Sequence, residues 1–316
     1  MNKIKKFKFA LFAVLMVVVG VFFTSCDKLM DEPVAPVVSN EMKNDESLST
    51  VQTRALSDWT GKDVKEANGS LVDGIFLYKR GNKDTYVIKV NLSKRQIRPY
   101  YDPSGTTNST GAPMFNISKA SNYNLSNYGW YALINASFFW FKYDPTPLSF
   151  YLRKDGKTIA AGTGSYASGT SDDGPRKYFG IHNRKAYIGS AQWTKTLSGI
   201  TPTSETEMKQ DMEKRLPRYN DIFCGLDPLL NKKRWSESIG RTMVGINTAN
   251  RNIVYILVSA GLIQEKAHDY LVDDFGCNEV VMFDGSDSSQ FKFLDTDGSN
   301  WHVDLNRPVP VFFAIK

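Results

Sequence analysis

The sequence predicts an α+β fold: a single domain over residues 57–316, mostly antiparallel or mixed twisted sheet built from hairpins, with a few packed helices. Three observations predict it. From about Leu71 onward, short β-branched and aromatic runs are separated by turn residues, the pattern of hairpins and not of alternating βαβ units. Only two segments carry helix start and stop signals. One uninterrupted apolar run, 280–283, fits a strand covered on both faces.

In chain order, 75–79 and 85–90 flank Gly81-Asn82, and 148–153 and 158–161 flank Asp155-Gly156, a dipeptide suited to a type I′ turn. The same logic pairs 178–182 with 186–189, 242–247 with 252–258, and 290–294 with 301–305 around Asp297-Gly298. Segment 203–216 opens with a Thr, Ser and Glu cluster and is closed by Pro217, which predicts an exposed helix. Segment 264–275, closed by Gly276, predicts a packed one with Ala267, Leu271 and Phe275 on its buried stripe. No internal repeat interrupts the domain.

The chain carries a formal net charge of +6, but Lys3, Lys5, Lys6 and Lys8 precede any acidic residue. A basic start, an apolar run over 9–23 and Thr24-Ser25-Cys26 read as an export signal, since the run is shorter than the ~18 residues of a spanning helix. The small-small-Cys ending resembles a bacterial lipoprotein cleavage site, with Phe23 where leucine is usual. We therefore expect a signal peptide over 1–25, a lipid anchor at Cys26 and a disordered tether over 26–56, rich in Asp, Glu, Asn, Ser and Pro. The domain would then be extracytoplasmic and held to a bacterial membrane, periplasmic or cell-surface, by the anchor alone. Without the leader lysines the charge falls to +2, which removes the case for a nucleic-acid partner.

Cys224 and Cys277, the remaining cysteines, cannot supply the C-x-x-C pairs of a zinc site; they read as buried free thiols, with a disulfide between them as the alternative in an oxidising compartment. His182, His268 and His302 lack metal-ligand spacing, and no G-x-S-x-G elbow marks a serine hydrolase. No metal and no cofactor is expected.

Four segments set polar residues against apolar strands: 133–139 with Asn135, Phe138 and Phe139; Gly240-Arg241-Thr242; 282–289 with Asp284, Gly285, Ser286, Asp287, Ser288 and Ser289; and Asn306-Arg307-Pro308-Val309-Pro310. Singly, each reads as ordinary turn or surface chemistry. Together and in this order they resemble the phosphodiester glycosidase domain family. That family has an Asn-x-x-Phe-Phe segment after a strand, an Arg-Thr pair opening a later strand, an Asp-Gly-Gly-Gly-Ser-Ser turn and an Arg-Pro-Val-Pro near its end. The resemblance runs over roughly 74–316. It departs at Ser286 and Asp287, where the family has glycines, and at Ala260-Gly261, where many relatives carry Asp-Gly.

The resemblance implies hydrolysis of a sugar 1-phosphodiester on a glycan or envelope polymer. Its leaving group is a phosphate monoester, a weak base, so one carboxylate suffices and a cation on the phosphate becomes the more valuable partner. Asp284 is the candidate base or nucleophile, and Arg241 the guanidinium that holds two phosphate oxygens. Asn135 is assigned to a sugar hydroxyl or phosphate oxygen, and Thr242 to positioning Arg241 or the phosphate. Ser288, Ser289 and the Gly285 amide are assigned to a small anion nest. Strand alternation puts one of Phe138 and Phe139 in the cleft and the other in the core, with Phe138 the substrate-facing candidate, and Asp287 reads as a turn residue. Of Trp130, Tyr131, Trp140, Phe141 and Tyr143, most are expected in the core and some at a glycan-stacking rim. The alternative is a non-catalytic surface lipoprotein that binds glycan or phosphate in the same cleft, an alternative drawn from Ser286, Asp287 and Ala260.

Overall fold

A computed structural model describes residues 56–65, 70–81, 84–162, 175–191, 205–294 and 302–316. The segment expected as a signal peptide, Cys26, nearly all of the expected tether, Asn82 and the expected Asp297-Gly298 turn lie outside the described residues.

The strands are β1 (Trp59–Lys65), β2 (Leu71–Arg80), β3 (Thr85–Asn91), β4 (Ile97–Thr107), β5 (Pro113–Asn116), β6 (Ala132–Asn135), β7 (Thr146–Pro147), β8 (Leu152–Lys154), β9 (Lys157–Ala160), β10 (Arg176–His182), β11 (Lys185–Ser190), β12 (Asp221–Leu226), β13 (Ile239–Asn247), β14 (Asn250–Leu262), β15 (Glu279–Phe283), β16 (Gln290–Phe293), β17 (Val303–Asp304) and β18 (Val311–Ile315). The larger sheet runs β1-β2-β3-β14-β13-β15-β12-β10-β11, with β8 attached to β12 and β9 to β8, and the smaller runs β17-β16-β6-β18-β4-β5-β7.

The expected hairpins form, and the Asp155-Gly156 turn has φ of 52° and 74°, the left-handed pair that a type I′ turn requires. The α+β expectation is corrected. The ladders among the described residues are antiparallel and strands dominate; the helices are short: Leu125–Tyr128, Glu205–Arg215, and Gln264–Asp269 with a π-helical continuation over Tyr270–Asp274. The apolar and aromatic stretches of β12 and β18 had no adjacent turn partner to mark them as hairpin strands, and they take places in the middle of the sheets.

Side-chain alternation produces the layers. In β18, Phe313 and Ile315 enter the core between the sheets while Phe312 and Ala314 face outward; in β6, Ile134 and Leu133 divide the same way. Phe313 meets Phe223 at 4.3 Å and Phe283 at 4.9 Å between ring centroids, so β18 of one sheet packs on β12 and β15 of the other. The outer face of the larger sheet carries Val87, Met243 and Leu257 under the two longer helices. The helix Glu205–Arg215, expected to be exposed, contributes Met212 and joins Leu216 in that layer; the two lie at i and i+4, the spacing of a packed stripe.

Cys224 and Cys277 are buried free thiols, and burial pushes Cys277 up to about 12 and Cys224 higher still. The two sheets bring the end of β6, the ends of β12 and β15 and the start of β13 to one place, and the polar segments lie there.

Candidate active site

Two glycines set the local backbone. A Cβ on Gly285 would lie 2.6 Å from the Gly240 carbonyl oxygen, and one on Gly240 only 2.1 Å from that of Ser286. Only bare backbone fits, so the turn after β15 lies directly on the start of β13. Thr242 is paired with Phe283 in the ladder, which sets Gly240-Arg241-Thr242 beside Asp284.

Asn135 joins these segments from the other sheet. Its Nδ2 donates to the Asp284 main-chain oxygen at 2.6 Å, and its Oδ1 accepts from the Thr242 hydroxyl at 2.8 Å and the Gln290 amide at 3.0 Å. The side chain is fully buried, and it does not line the cavity below. The structure therefore makes Asn135 a tie between the sheets, with its amide committed to protein groups. Thr242 is equally buried and sits 3.3 Å from the Ser289 hydroxyl.

A cavity of about 740 Å³ opens at this junction. Among its lining residues Asp284 is the one carboxylate, and Lys142, Arg176, Lys233, Arg234, Arg241 and Arg307 are the cations. Burial raises Asp284 to about 6, opposed by a hydrogen bond with Ser288, the charge of Arg307 and the Gly285 amide, which donates to Oδ1 at 3.1 Å. A cation-lined cavity with one carboxylate of this kind can bind an anion and hold a base that is ionised at neutral pH.

Arg241 lines the cavity but its fork faces the protein. Nε donates to the Leu262 carbonyl at 3.1 Å, Nη1 to Gln264 Oε1 at 3.1 Å, and Nη2 to the carbonyls of Arg234 and Glu237 at 2.5 and 3.1 Å. Burial, with help from Arg234, lowers it to about 10. Gln264, fully buried, donates in turn to the carbonyls of Pro228 at 2.8 Å and Asn231 at 2.9 Å. Arg241 and Gln264 thus fasten the 227–238 loop as one wall of the cavity.

More accessible guanidinium groups flank the Asp284 turn. Arg234 pairs with Glu237 at 2.8 Å and donates Nη1 to the Ser286 hydroxyl at 2.9 Å. Arg307 pairs with Asp287 at 2.8 Å and donates Nη1 to the Ser288 hydroxyl at 3.3 Å. Asp287 is exposed in its turn, as the sequence suggested.

The expected anion nest is absent from this turn. The Gly285 amide bonds its neighbour's carboxylate, the Ser288 amide the Gly285 carbonyl, and the Ser289 amide the Ser286 carbonyl, because Ser286–Ser288 closes into a 3-10 turn. Ser288 and Ser289 are buried and do not line the cavity. Phe138 and Phe139 both line it, contrary to alternation, because β6 ends at Asn135 and the chain beyond it is no longer a strand. Trp130 is buried, whereas Trp140, Phe141 and Tyr143 are exposed at the cavity rim. Among the described residues no group of three or more His, Cys, Asp or Glu is placed to hold a metal.

Sequence reasoning missed Gln264, Arg234, Arg176 and Lys233. The cluster Lys232-Lys233-Arg234 beside the Pro228 segment was the available signal; Gln264 offered none, since the acceptors of its amide are main-chain carbonyls and its oxygen meets Arg241 from a distant strand.

No protein-family model matches the sequence, and no curated protein matches it. Among solved structures, the chain is similar to the catalytic domain of zebrafish N-acetylglucosamine-1-phosphodiester alpha-N-acetylglucosaminidase, auto-inhibited by its pro-peptide, at 11% identity and a TM-score of 0.49 over 81% of each chain. It is also similar to a hypothetical protein from Synechocystis, at 10% identity and a TM-score of 0.40, over 81% of this chain and 61% of that one. A Burkholderia pseudomallei K96243 protein named as exported matches at 10% identity and a TM-score of 0.36, over 76% of this chain and 74% of that one.

Proposed function

We propose that the cavity hydrolyses a sugar 1-phosphodiester, with Asp284 as base or nucleophile at the anomeric carbon and the phosphate held by Arg234 and Arg307. The observation that carries this reading is the charge pattern of the lining: one carboxylate, kept close to neutral titration by burial, in a wall otherwise charged by cations. In the base form of the reaction, water oxygen bonds to the anomeric carbon and its proton passes to Asp284. The C–O bond breaks with its electron pair going to the phosphate, and the guanidinium charges stabilise the dianion that forms. In the nucleophile form Asp284 bonds to that carbon first and water releases it. Arg241 acts through the loop it fastens, which moves the phosphate-holding role from Arg241 to the two arginines at the rim.

The same reading places the domain outside the cytoplasm, held to a membrane by lipid on Cys26. Its test is hydrolysis by the full chain of a panel of sugar 1-phosphodiesters, alpha-linked N-acetylglucosamine included, in oxygen-18 water. Free sugar carrying the label, with unlabelled phosphate monoester, supports it. Sugar 1-phosphate as product would mean attack at phosphorus and would sink it. Tight binding without turnover would favour the non-catalytic alternative, for which the partners that Arg234 and Arg307 already have in Ser286, Glu237 and Asp287 are the structural support.

A further inference from the structure

We propose that the rim of the cavity docks on an anionic lipid bilayer through the 140–143 and 229–235 segments, so that the folded domain meets the membrane by its own surface and not by the anchor alone. The inference stands apart from the reaction proposed above, since it concerns the surface around the cavity. Among the described residues eight large hydrophobic side chains are exposed, and six belong to these two segments or lie beside them: Trp140, Phe141, Tyr143, Leu229, Leu230 and Ile263. The other two, Leu71 and Tyr128, stand singly on other elements. Single exposed hydrophobics are ordinary on a protein surface, whereas a group of six around one opening marks an interaction surface.

The fold brings the two segments together and holds them. Residues 140–143 line the cavity, and so do Asn231, Lys233 and Arg234. The Leu229 and Leu230 amides both donate to Asp227 Oδ1, at 2.9 and 3.3 Å, and the Gln264 amide donates to the carbonyls of Pro228 and Asn231 on either side of the leucine pair. Ile263 precedes that glutamine. On the other segment the Thr146 hydroxyl donates to the Trp140 carbonyl at 2.9 Å. The apolar side chains are therefore presented to water by a fastened backbone.

Charge and composition identify the occupant. The two segments carry Lys142, Lys232, Lys233 and Arg234 and no carboxylate. Of the acids that follow them, Asp144 and Glu237, the second is paired with Arg234 at 2.8 Å. Lysines beside leucine, tryptophan and tyrosine suit the headgroup boundary of an anionic bilayer, where ammonium groups meet lipid phosphates and apolar side chains pass below them. A glycan fits this surface less well, because leucine and isoleucine offer no flat face to a sugar ring. Lys232 also covers Trp235, with Nζ 4.1 Å from the ring centre. A second copy placed face to face would set these cations against one another.

The test places an environment-sensitive nitrobenzoxadiazole label on the full chain at Leu230→Cys or, as a control, at Leu71→Cys, each with Cys26→Ser. Cys224 and Cys277, 0% and 2% exposed, leave the introduced thiol as the accessible one among the described residues. Both chains keep the leader, so attachment through it is common to the two. In vesicles of mixed phosphatidylglycerol and phosphatidylcholine, emission at position 230 should shift to the blue and be quenched by doxyl-labelled lipid, while position 71 stays aqueous. Lys232→Gln with Lys233→Gln should lower the docked-to-undocked ratio about 30-fold without moving the melting temperature. A label at 230 that stays aqueous, that behaves like the one at 71, or that responds equally in pure phosphatidylcholine overturns the proposal. A blue shift that grows with protein density and lacks lipid quenching assigns the surface to a second copy, and protection by a trisaccharide without vesicles assigns it to a glycan; either result also overturns it. No turnover enters the measurement, so loss of the proposed reaction and loss of the docking surface are read separately.

Discussion

Asn135 Nδ2 donates to the main-chain oxygen of Asp284 at 2.6 Å, across the junction of the two sheets. One side chain from β6 thereby fixes where β15 releases its carboxylate, while its own oxygen holds Thr242 and the first residue of β16. Asn135→Ala leaves the Gln290 main-chain amide and the Asp284 carbonyl without their partner in a buried place, and leaves the Thr242 hydroxyl only that of Ser289. We expect a loss of ~2–4 kcal/mol by urea denaturation, and a fall in turnover larger than the change in KM.

Asp284 gives the activity a definite pH dependence. Raised to about 6, it is ionised above that value and protonated below it. A base or nucleophile must be ionised, so kcat/KM rises with pH through about 6 and levels off above about 7. A limb that falls through this range would assign Asp284 as an acid.

The same burial affects stability, in the opposite sense to the usual salt-bridged carboxylate. The folded state holds the proton more tightly than the unfolded chain does, so this group's contribution is neutral below about 4, falls as pH rises towards 6, and is fully unfavourable above it. Cavity water relieves part of the cost because Asp284 is only half-buried. Asp284→Asn should therefore stabilise the protein at pH 7.5 by up to ~3 kcal/mol, and this gain should vanish near pH 4 in matched thermal melts.

Arg241 and Arg307 should respond differently to lysine. Arg241→Lys keeps the charge but cannot satisfy four acceptors spread over Leu262, Gln264, Arg234 and Glu237; we expect ~2–4 kcal/mol of destabilisation together with weakened activity. Arg307 is half-buried at the rim and its ion-pair partner Asp287 is exposed, so Arg307→Lys should raise KM several-fold with little change in the melting temperature.

What could be read from the sequence was what neighbours in the chain encode. Asp155-Gly156 carries its turn in two adjacent residues, and the apolar run ending at Phe283 announces a carboxylate at a buried strand's end. The role of Arg241 was not encoded locally: three of its four acceptors are main-chain carbonyls, of Arg234, Glu237 and Leu262, which are the same for every residue type. The share of helix was overestimated for a related reason. β12 and β18 find their partners far along the chain, through contacts such as Phe313 on Phe223, and no turn chemistry beside them marks the pairing.

The central claim is that Asp284 carries out the chemical step, and the most direct measurement compares kcat of the full chain with that of Asp284→Asn on one sugar 1-phosphodiester, alongside calorimetric binding of the phosphate monoester product. The account predicts a loss of at least ~10³-fold in kcat with product affinity retained within a few-fold, since the cations remain in place. Turnover by Asp284→Asn within ~10-fold of wild type, in a protein that binds product normally, would contradict it.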